Sequence, residues 1–320
     1  MGRSPSVVDV GVRGNVPVEH REGHHFPSRG KLRKRHLLQA LVLSMAPEAN
    51  LRPGIDRGWL DEELAKSPAR HAYAIWDLEH YPDQAQFFTL TVSGGPKGYL
   101  LIWRGTGGTP SAHWISDEPD DQALLAGFPS PPFLAFVPER RADTVVASVH
   151  NATTRRVDLM ENPGPSRPTT AQTPVRPLTM DDQQEFHALV DGDPEHSLSR
   201  HRDLDLDTTR SWGAFDGRKM VSFAHASVTL PQIWILNGIY TDPAYRGKGY
   251  GRAATEAATR AGLDEVARVG LYVFSDNTPA VRLYRHLGFR EVERLVLVDA
   301  TSSTSSPISS EDGRRNTAIP

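Results

Sequence analysis

The second half of the chain alternates between short apolar runs and segments in which apolar residues recur at helical spacing. The runs are bounded by turn residues and predict strands at 175–178, 212–215, 220–228, 233–240, 269–274 and 289–298. The helical spacing predicts helices at 181–190, 249–263 and 279–287. The early strands are linked by hairpin signals such as Asp216-Gly217, and the later ones alternate with helices. We therefore expect an α/β (α+β) fold with a mixed central sheet flanked by helices and closed by the last strand.

The first half shows a weaker pattern of the same kind. Residues 59–64 predict a helix, and residues 87–92 and 98–103 predict strands joined by a Ser-Gly-Gly turn. A further strand is predicted at 133–138, whereas 144–149 suits either a helix or a strand. This order predicts a second, smaller α+β domain. Because it repeats a helix followed by a hairpin, a diverged copy of the second domain is one interpretation.

Composition separates three segments from these two domains. Residues 1–36 hold eight Lys and Arg against three Asp and Glu and show no apolar period, which is typical of a disordered basic leader. Residues 161–174 contain four prolines and no large apolar residue, which predicts a semi-rigid linker. Residues 300–320 are rich in Ser and Thr and predict a disordered tail. The predicted folded domains are therefore 37–160 and 175–299.

Charge and cysteine content exclude several classes of function. The net charge is −3, so no concentrated basic surface for nucleic acid is expected. The chain has no cysteine, which excludes disulfides, thiolate metal ligands and a cysteine nucleophile, and we expect no metal. Because no apolar run approaches the ~20 residues that span a bilayer, we expect a cytoplasmic protein with no membrane partner.

The connection between the strand ending at Tyr240 and the following helix carries the clearest chemical signal. It alternates three glycines with three cations, at Arg246, Gly247, Lys248, Gly249, Gly251 and Arg252. Glycines let backbone amides approach a ligand closely, and amides at a helix N-terminus favour an anion. This pattern predicts a site for a diphosphate.

This loop has two other interpretations. A purely steric turn does not explain three cations between three glycines. A dinucleotide-binding fold is suggested by Gly249-x-Gly251-x-x-Ala254, with Asp276 after the next strand as a ribose ligand. However, that fold opens with this strand, whereas here hairpin-linked strands precede it. A Walker loop is excluded, because no Gly-Lys-Ser/Thr closes the motif.

Two motifs together resemble the GNAT superfamily of N-acetyltransferases. Arg246-Gly247-Lys248-Gly249-Tyr250-Gly251 is similar to the R/Q-x-x-G-x-G/A signature of that family. The segment 276–289, Asp-Asn-Thr-Pro-Ala-Val-Arg-Leu-Tyr-Arg-His-Leu-Gly-Phe, resembles its later N-x-x-A-x-x-x-Y-x-x-x-G-F block. The resemblance covers about residues 175–298. It says little about residues 1–170, where the repeated order of a helix and a hairpin makes a degenerate GNAT-like fold one interpretation of the first domain.

The resemblance implies that an acetyl group passes from acetyl-CoA, the co-substrate, to a primary amine by direct attack. It implies that the amides of 247–251 hold the CoA diphosphate, with the side chains of Arg246, Lys248, Tyr250 and Arg252 around them. Backbone groups of Ile239 and Tyr240 would pair with the pantetheine arm. Asn277 would contact the cofactor, although a simple helix-entry role suits it nearly as well. Tyr284 would be the general acid that protonates the departing thiolate.

The proton acceptor and the acetyl acceptor stay open. Many relatives carry a Glu on the strand before the loop, but here that strand carries Asn237, which cannot accept a proton. A water chain, His225 or a group from the first domain are the alternatives. The missing carboxylate also leaves a non-catalytic CoA-binding sensor or interaction module as a second hypothesis. The acceptor, a small-molecule or protein amine, and the oligomeric state are not determined by the sequence.

Overall fold

The structure, a computed structural model, describes residues 49–105, 109–164, 173–194, 198 and 201–300. The predicted leader lies outside the described residues, as do the tail after Ala300 and most of the predicted linker. Among the described residues, no helix is long and apolar enough to cross a membrane.

Twelve strands among the described residues form one sheet. In chain order they are β1 Ala49–Pro53, β2 Ala85–Val92, β3 Gly95–Trp103, β4 Ser111–Ser116, β5 Leu134–Pro138, β6 Thr153–Asn162, β7 Val175–Pro177, β8 Arg210–Asp216, β9 Lys219–Leu230, β10 Ile233–Thr241, β11 Val269–Phe274 and β12 Arg290–Asp299. Their spatial order is β1-β2-β3-β4-β5-β12-β6-β11-β10-β9-β8-β7.

The sheet is flanked by helices, so the predicted mixed α/β fold is confirmed. The α-helices are α1 Arg57–Lys66, α2 Pro68–His80, α3 Ala142–Ala147, α4 Gln183–Asp191, α5 Tyr250–Glu265 and α6 Thr278–His286. Short 3₁₀ helices include Gln122–Gly127 and Pro243–Tyr245. The ambiguous segment 144–149 contributes to the helix α3 and not to a strand.

The two halves of the sheet have the same pattern of strand pairing. In the first half, β1 to β4 pair in antiparallel order, and β4 then pairs with β5 in parallel. In the second half, β7 to β10 pair in antiparallel order, and β10 then pairs with β11 in parallel. This repeat supports the interpretation of the first half as a diverged copy of the second.

The last strand of each half is exchanged into the other half. Strand β6 pairs with β11, β12 pairs with β5, and β6 and β12 pair with each other at the centre, all antiparallel. The expectation that residues 289–298 close the sheet of the second half is therefore wrong. Apolar alternation specifies that a strand is half-buried but does not specify its partner. The domain boundaries at 160 and 175 stay a prediction, since the sheet is continuous across them.

Alternation along the strands places separate cores on the two faces of the sheet. On the face covered by α2, Ile233 and Ile235 of β10 join the residues of α1 and α2 in one cluster. On the opposite face, covered by α5, Trp234 and Leu236 of the same strand join residues of α5 and α6. The two faces are called the α2 face and the α5 face below.

The sheet curves around helix α2. The ring of Tyr73 on α2 lies with its centroid 6.0 Å from that of His113 on β4 and 5.8 Å from that of Tyr272 on β11. Three strands separate β4 from β11 in the sheet. At ~4.8 Å per strand, a flat sheet would hold these strands roughly 19 Å apart. The α2 face is therefore concave, and it brings residues of both halves together.

Candidate functional site

The parallel strands β10 and β11 separate after a short stretch of pairing. Their ladder covers only Trp234–Leu236 and Val269–Leu271, although β10 continues to Thr241 and β11 to Phe274. A parallel pair normally continues its evenly spaced hydrogen bonds along both strands. The divergence therefore leaves backbone groups of β10 beyond Leu236 facing an opening in the sheet.

A bulge in β10 lies at the start of this opening. Its register with β9 shifts between Asn237 and Tyr240, so Gly238 and Ile239 together oppose a single residue of β9. Gly238 has φ +61°, and a Cβ there would lie 2.9 Å from Nε2 of His201. Both the backbone angle and the close approach require glycine. The predicted pantetheine partners Ile239 and Tyr240 therefore lie at the widening of the strands.

The glycine loop occupies the entry to helix α5, as predicted. Gly247 and Gly249 have φ values of +78° and +91°, in the left-handed region that other residues rarely adopt. A Cβ on Gly251 would lie 2.6 Å from Oγ1 of Thr241, so the helix start packs against the end of β10. These three glycines shape a loop whose backbone is not covered by side chains of its own.

The amides of this loop are available to a ligand. Helix α5 begins at Tyr250, and its N-cap Gly249 offers no side-chain acceptor. Considering only the part of the chain that the structure describes, the amides from Gly247 through Gly251 have no hydrogen-bond acceptor. Free N–H groups at a helix N-terminus bind phosphate and similar anions. The geometry thus suits the predicted diphosphate.

The basic side chains around the loop have different surroundings. Arg246 donates from Nε to the Thr241 carbonyl at 3.1 Å, which holds it against the end of β10. Lys248 lies with Nζ 4.7 Å from the centroid of the Tyr245 ring. Arg252 donates to Nε2 of His286 at 2.9 Å and lies 3.9 Å from Glu256. Arg252 therefore also joins α5 to α6, a contact that the sequence did not indicate.

Helix α6 carries the predicted acid and is held next to the glycine loop by that contact. Asn277 is its N-cap, with Oδ1 accepting from the Ala280 amide at 3.4 Å, and this matches the helix-entry role considered for it. A cofactor contact by Asn277 stays a prediction.

Tyr284 is buried among apolar residues of the α5 face and is 6% exposed. Its ring lies 6.0 Å from that of Phe289. Its hydroxyl makes no hydrogen bond to any of the residues that the structure describes. Burial raises the pKa of this hydroxyl above its usual value, because the phenolate would be desolvated. Tyr284 therefore holds its proton at neutral pH, as a general acid must.

Residues of the α2 face approach β10 from the other side of the sheet. The Tyr73 hydroxyl lies 3.1 Å from Oγ of Ser227 on β9 and also hydrogen-bonds to Asn237. Asn237 therefore contacts a tyrosine of the first half. The sequence pattern did not indicate Tyr73, whose only signal was a tyrosine hydroxyl beside the apolar residues Ala72 and Ala74.

His225 is fully enclosed beside the bulge. It is 4% exposed, and both of its ring nitrogens lack a hydrogen-bond partner among the described residues. Its ring lies 4.9 Å from that of His201 and 5.6 Å from that of Phe223. Burial lowers the pKa of His225 well below its usual value, with a further contribution from His201. The imidazole is therefore neutral and can accept a proton, but it is a weak base.

The corresponding region of the first half is differently filled. Strands β4 and β5 also diverge after three pairs, but the buried Trp114 follows there and donates from Nε1 to Asp121 at 3.0 Å. Arg140 donates to the same carboxylate at 2.8 Å. Between these strands, where the second half has the glycine loop and α5, the chain forms only the 3₁₀ helix 122–127. Among the described residues, the features predicted to bind the diphosphate therefore lie in the second half.

The second half thus places an opened pair of parallel strands next to a glycine loop without a side-chain cap. Residues 176–289 match the model of the acetyltransferase (GNAT) family. These residues therefore form a GNAT acetyltransferase domain, as the two motifs predicted.

Curated relatives match over short segments. A mycothiol acetyltransferase of Kineococcus radiotolerans is 47% identical over 60 residues, which are 19% of each chain. A mycothiol acetyltransferase of Corynebacterium glutamicum is 33% identical over 90 residues, which are 27% of this chain and 30% of that protein. The chain thus matches less than a third of the length of either curated relative.

The similarity to solved structures extends into the first half. A tandem GNAT protein from the clavulanic acid biosynthesis pathway superposes with a TM-score of 0.50 and 15% identity, over 80% of this chain and 100% of that one. At this identity the comparison concerns the fold alone. It agrees with the repeated strand pairing of the two halves.

Proposed function

We propose that this protein is an acetyl-CoA-dependent N-acetyltransferase whose chemistry takes place in the second half. One observation carries the proposal: the free amides of 247–251 and the opening between β10 and β11 lie at consecutive positions along the chain. A diphosphate at the helix N-terminus would send a pantetheine arm alongside the unpaired part of β10. Acetyl-CoA is the cofactor that suits both features.

The residues fit the steps of direct transfer. Backbone groups at the bulge of β10 would orient the thioester carbonyl and stabilise the charge that develops on its oxygen. The neutral amine forms a bond to the carbonyl carbon and releases one proton. The carbon–sulfur bond then breaks, and Tyr284 gives its proton to the departing thiolate. Tyr284 regains a proton from solvent.

The amine proton needs an acceptor other than the side chain of Asn237. Asn237 accepts no proton, and its side chain bonds to Tyr73 and to the Gly238 amide. His225 is neutral and lies beside the bulge, which makes it a candidate, although its lowered pKa limits its strength as a base. An amine that binds in the neutral form needs no base before its attack, and the proton that it releases on forming the amide passes to solvent.

Calorimetry with the full chain tests the proposal. We expect CoA to bind with micromolar affinity, on the order of −8 kcal/mol, and the full chain is required because β6 of the first half pairs with β11. Product analysis with acetyl-CoA and a panel of amines then tests transfer. No binding of CoA would overturn the proposal.

A second candidate function, a CoA-binding module without catalysis, follows from the absence of a carboxylate at Asn237. It predicts CoA binding of the same strength but no acetylated product with any amine of the panel. Acetylated product that is lost in Tyr284→Phe would exclude it.

A further inference from the structure

The concave α2 face borders a cavity, half open to solvent, that both halves of the chain line. Its volume is about 160 Å³, and it lies between α2, β3, β4 and β9. Its walls include Trp76, Asp77, Trp103, His113 and Ser227. For comparison, an apolar cavity of about 150 Å³ holds a molecule the size of benzene. The cavity therefore has room for one small group and not for a cofactor.

Asp77 is the charged group of this cavity. It is 8% exposed, and among the described residues it has no side-chain hydrogen bond and no ion pair. A buried carboxyl without a partner is costly, and such a group in a native structure is accounted for by a catalytic role or by a bound ion or water. Burial raises the pKa of Asp77 to about 7, because no neighbour stabilises the carboxylate.

The remaining walls select for a cation. Trp76, Tyr81 and Trp103 place aromatic rings around the cavity, and aromatic faces attract ammonium groups. His113 is held neutral, since burial lowers its pKa to about 4. Among the residues that the structure describes, no Lys or Arg lines the cavity. An anion would meet the Asp77 carboxylate without a compensating charge, whereas an ammonium group would meet its counter-ion.

The cavity adjoins the strand that faces the acetyl carrier. Tyr73 and Ser227 both line it, and they are joined by the 3.1 Å contact of their hydroxyls. Tyr73 also bonds to Asn237, the first residue of β10 beyond its ladder with β11. A ligand in the cavity is thus one hydrogen-bond relay from the place where the thioester would lie.

We propose that this cavity binds the acetyl acceptor, a slim alkyl amine, in its ammonium form, with Asp77 as its counter-ion and Trp76 and Trp103 as its walls. The ammonium gives one proton to the Asp77 carboxylate and leaves the cavity as the neutral amine that attacks the thioester. The inference rests on the proposed function for its role in transfer, but ammonium binding itself does not require acetyl-CoA. It also assigns a role to the first half, which supplies Asp77 to an acceptor site used by the second half.

Titration of the full chain with n-butylammonium chloride tests the site. At about pH 8, above the pKa of about 7 for Asp77, the carboxylate and the ammonium are both charged. We expect saturable binding by calorimetry and a change in tryptophan fluorescence. Asp77→Asn should weaken this binding at least about tenfold, and the neutral isostere 1-butanol should not bind measurably. The matched control is Asp83→Asn, an exposed carboxylate near the end of the same helix, which should bind like the wild type.

Two further readouts separate this proposal from the proposed function. In steady-state assays with n-butylamine, Asp77→Asn should raise KM for the amine about tenfold and leave KM for acetyl-CoA unchanged. Equal ammonium affinity in Asp77→Asn and the wild type, with CoA still bound, would overturn the acceptor site alone. If the wild type binds n-butylammonium but does not bind CoA, the acetyltransferase proposal is overturned and the ammonium site stands.

Discussion

The hydroxyl of Tyr73 lies 3.1 Å from Oγ of Ser227 and joins helix α2 of the first half to strand β9 of the second. Ser227 in turn donates to the Ile235 carbonyl on β10 at 3.3 Å. The acceptor side of the proposed active site therefore depends on both halves. The exchange of β6 and β12 has the same consequence, because neither half retains a complete sheet without the other.

This contact should stabilise the fold through a measurable coupling. Tyr73→Phe removes the hydroxyl and its hydrogen bonds to Ser227 and Asn237, which should cost about 1–3 kcal/mol of unfolding free energy. Denaturant unfolding of Tyr73→Phe, Ser227→Ala and the double variant would form a double-mutant cycle. We expect a coupling of about 0.5–1.5 kcal/mol. Strictly additive effects would show that the two hydroxyls do not interact.

Substitution in the glycine loop should reduce CoA affinity, and it should destabilise the fold no more than a comparable substitution elsewhere. Gly247→Ala places a Cβ at φ +78°, which costs about 1–2 kcal/mol in the folded chain and tilts the amides. We expect at least about a tenfold loss of CoA affinity by calorimetry. Gly54→Ala is the matched control, since Gly54 has φ +88° and, like Gly247, no atoms within 4 Å of the added Cβ. It should lose similar stability and keep its CoA affinity.

Tyr284→Phe should lower kcat and leave cofactor binding intact. The ring stays in its apolar cluster, and only the hydroxyl that donates the proton is lost. General acid catalysis typically contributes ~10²–10⁴-fold, so a fall of about that size is expected in acetyl transfer. Tyr99→Phe, another buried tyrosine whose hydroxyl lies 2.9 Å from Nδ1 of His71, should leave kcat unchanged. Equal rates in Tyr284→Phe and the wild type would remove Tyr284 from the mechanism.

Asp77→Asn should stabilise the protein at alkaline pH. Burial raises the Asp77 pKa from 3.8 to about 7, so between these values the folded chain holds a proton that the unfolded chain releases. Unfolding free energy therefore falls as pH rises through this window. At about pH 8 the variant should be more stable by an amount on the order of 2 kcal/mol, and the gain should vanish near pH 4. Denaturant unfolding at a series of pH values measures this, with Asp83→Asn as the control. A variant that is less stable at about pH 8 would contradict the buried, unpaired carboxyl.

His113 should contribute to the loss of stability in acid. Burial lowers its pKa from 6.5 to about 4, so in this window the unfolded chain binds a proton that the folded chain does not. Unfolding free energy therefore falls as pH drops from about 6.5 to about 4. His113→Phe should make this decline shallower by an amount on the order of 1–2 kcal/mol. An unchanged slope would show that His113 is protonated in the folded protein.

The sequence predicted a glycine loop at the start of helix α5 because the geometry of that loop is local, and its binding of a diphosphate stays a prediction. Three glycines and the helix start lie within one short connection. Gly247 and Gly249 adopt positive φ values, which glycine adopts more readily than any other residue type. The strands and helices of the second half were predicted for the same reason. Their apolar period is a property of neighbouring positions along the chain.

The cavity proposed for the acetyl acceptor could not be predicted, because the residues that line it are distant from one another in the sequence. Tyr73 and Ser227 are separated by 154 positions, and His113 meets Tyr73 only because the sheet curves around α2. An aspartate at position 77 within a helical pattern is ordinarily solvated. Its desolvation becomes apparent only when the surrounding strands are in place.

The residue types and their spacing by themselves determined the mixed α/β class, the glycine loop and the resemblance to GNAT acetyltransferases, because local backbone geometry and short-range periodicity carry that information. The tertiary structure alone decided the exchange of β6 and β12, the opening between β10 and β11 and the enclosure of Asp77. Strand partners and burial depend on contacts between segments that are distant in the sequence. Those contacts are decided by the free energy of the whole fold, and no local pattern of residues specifies them.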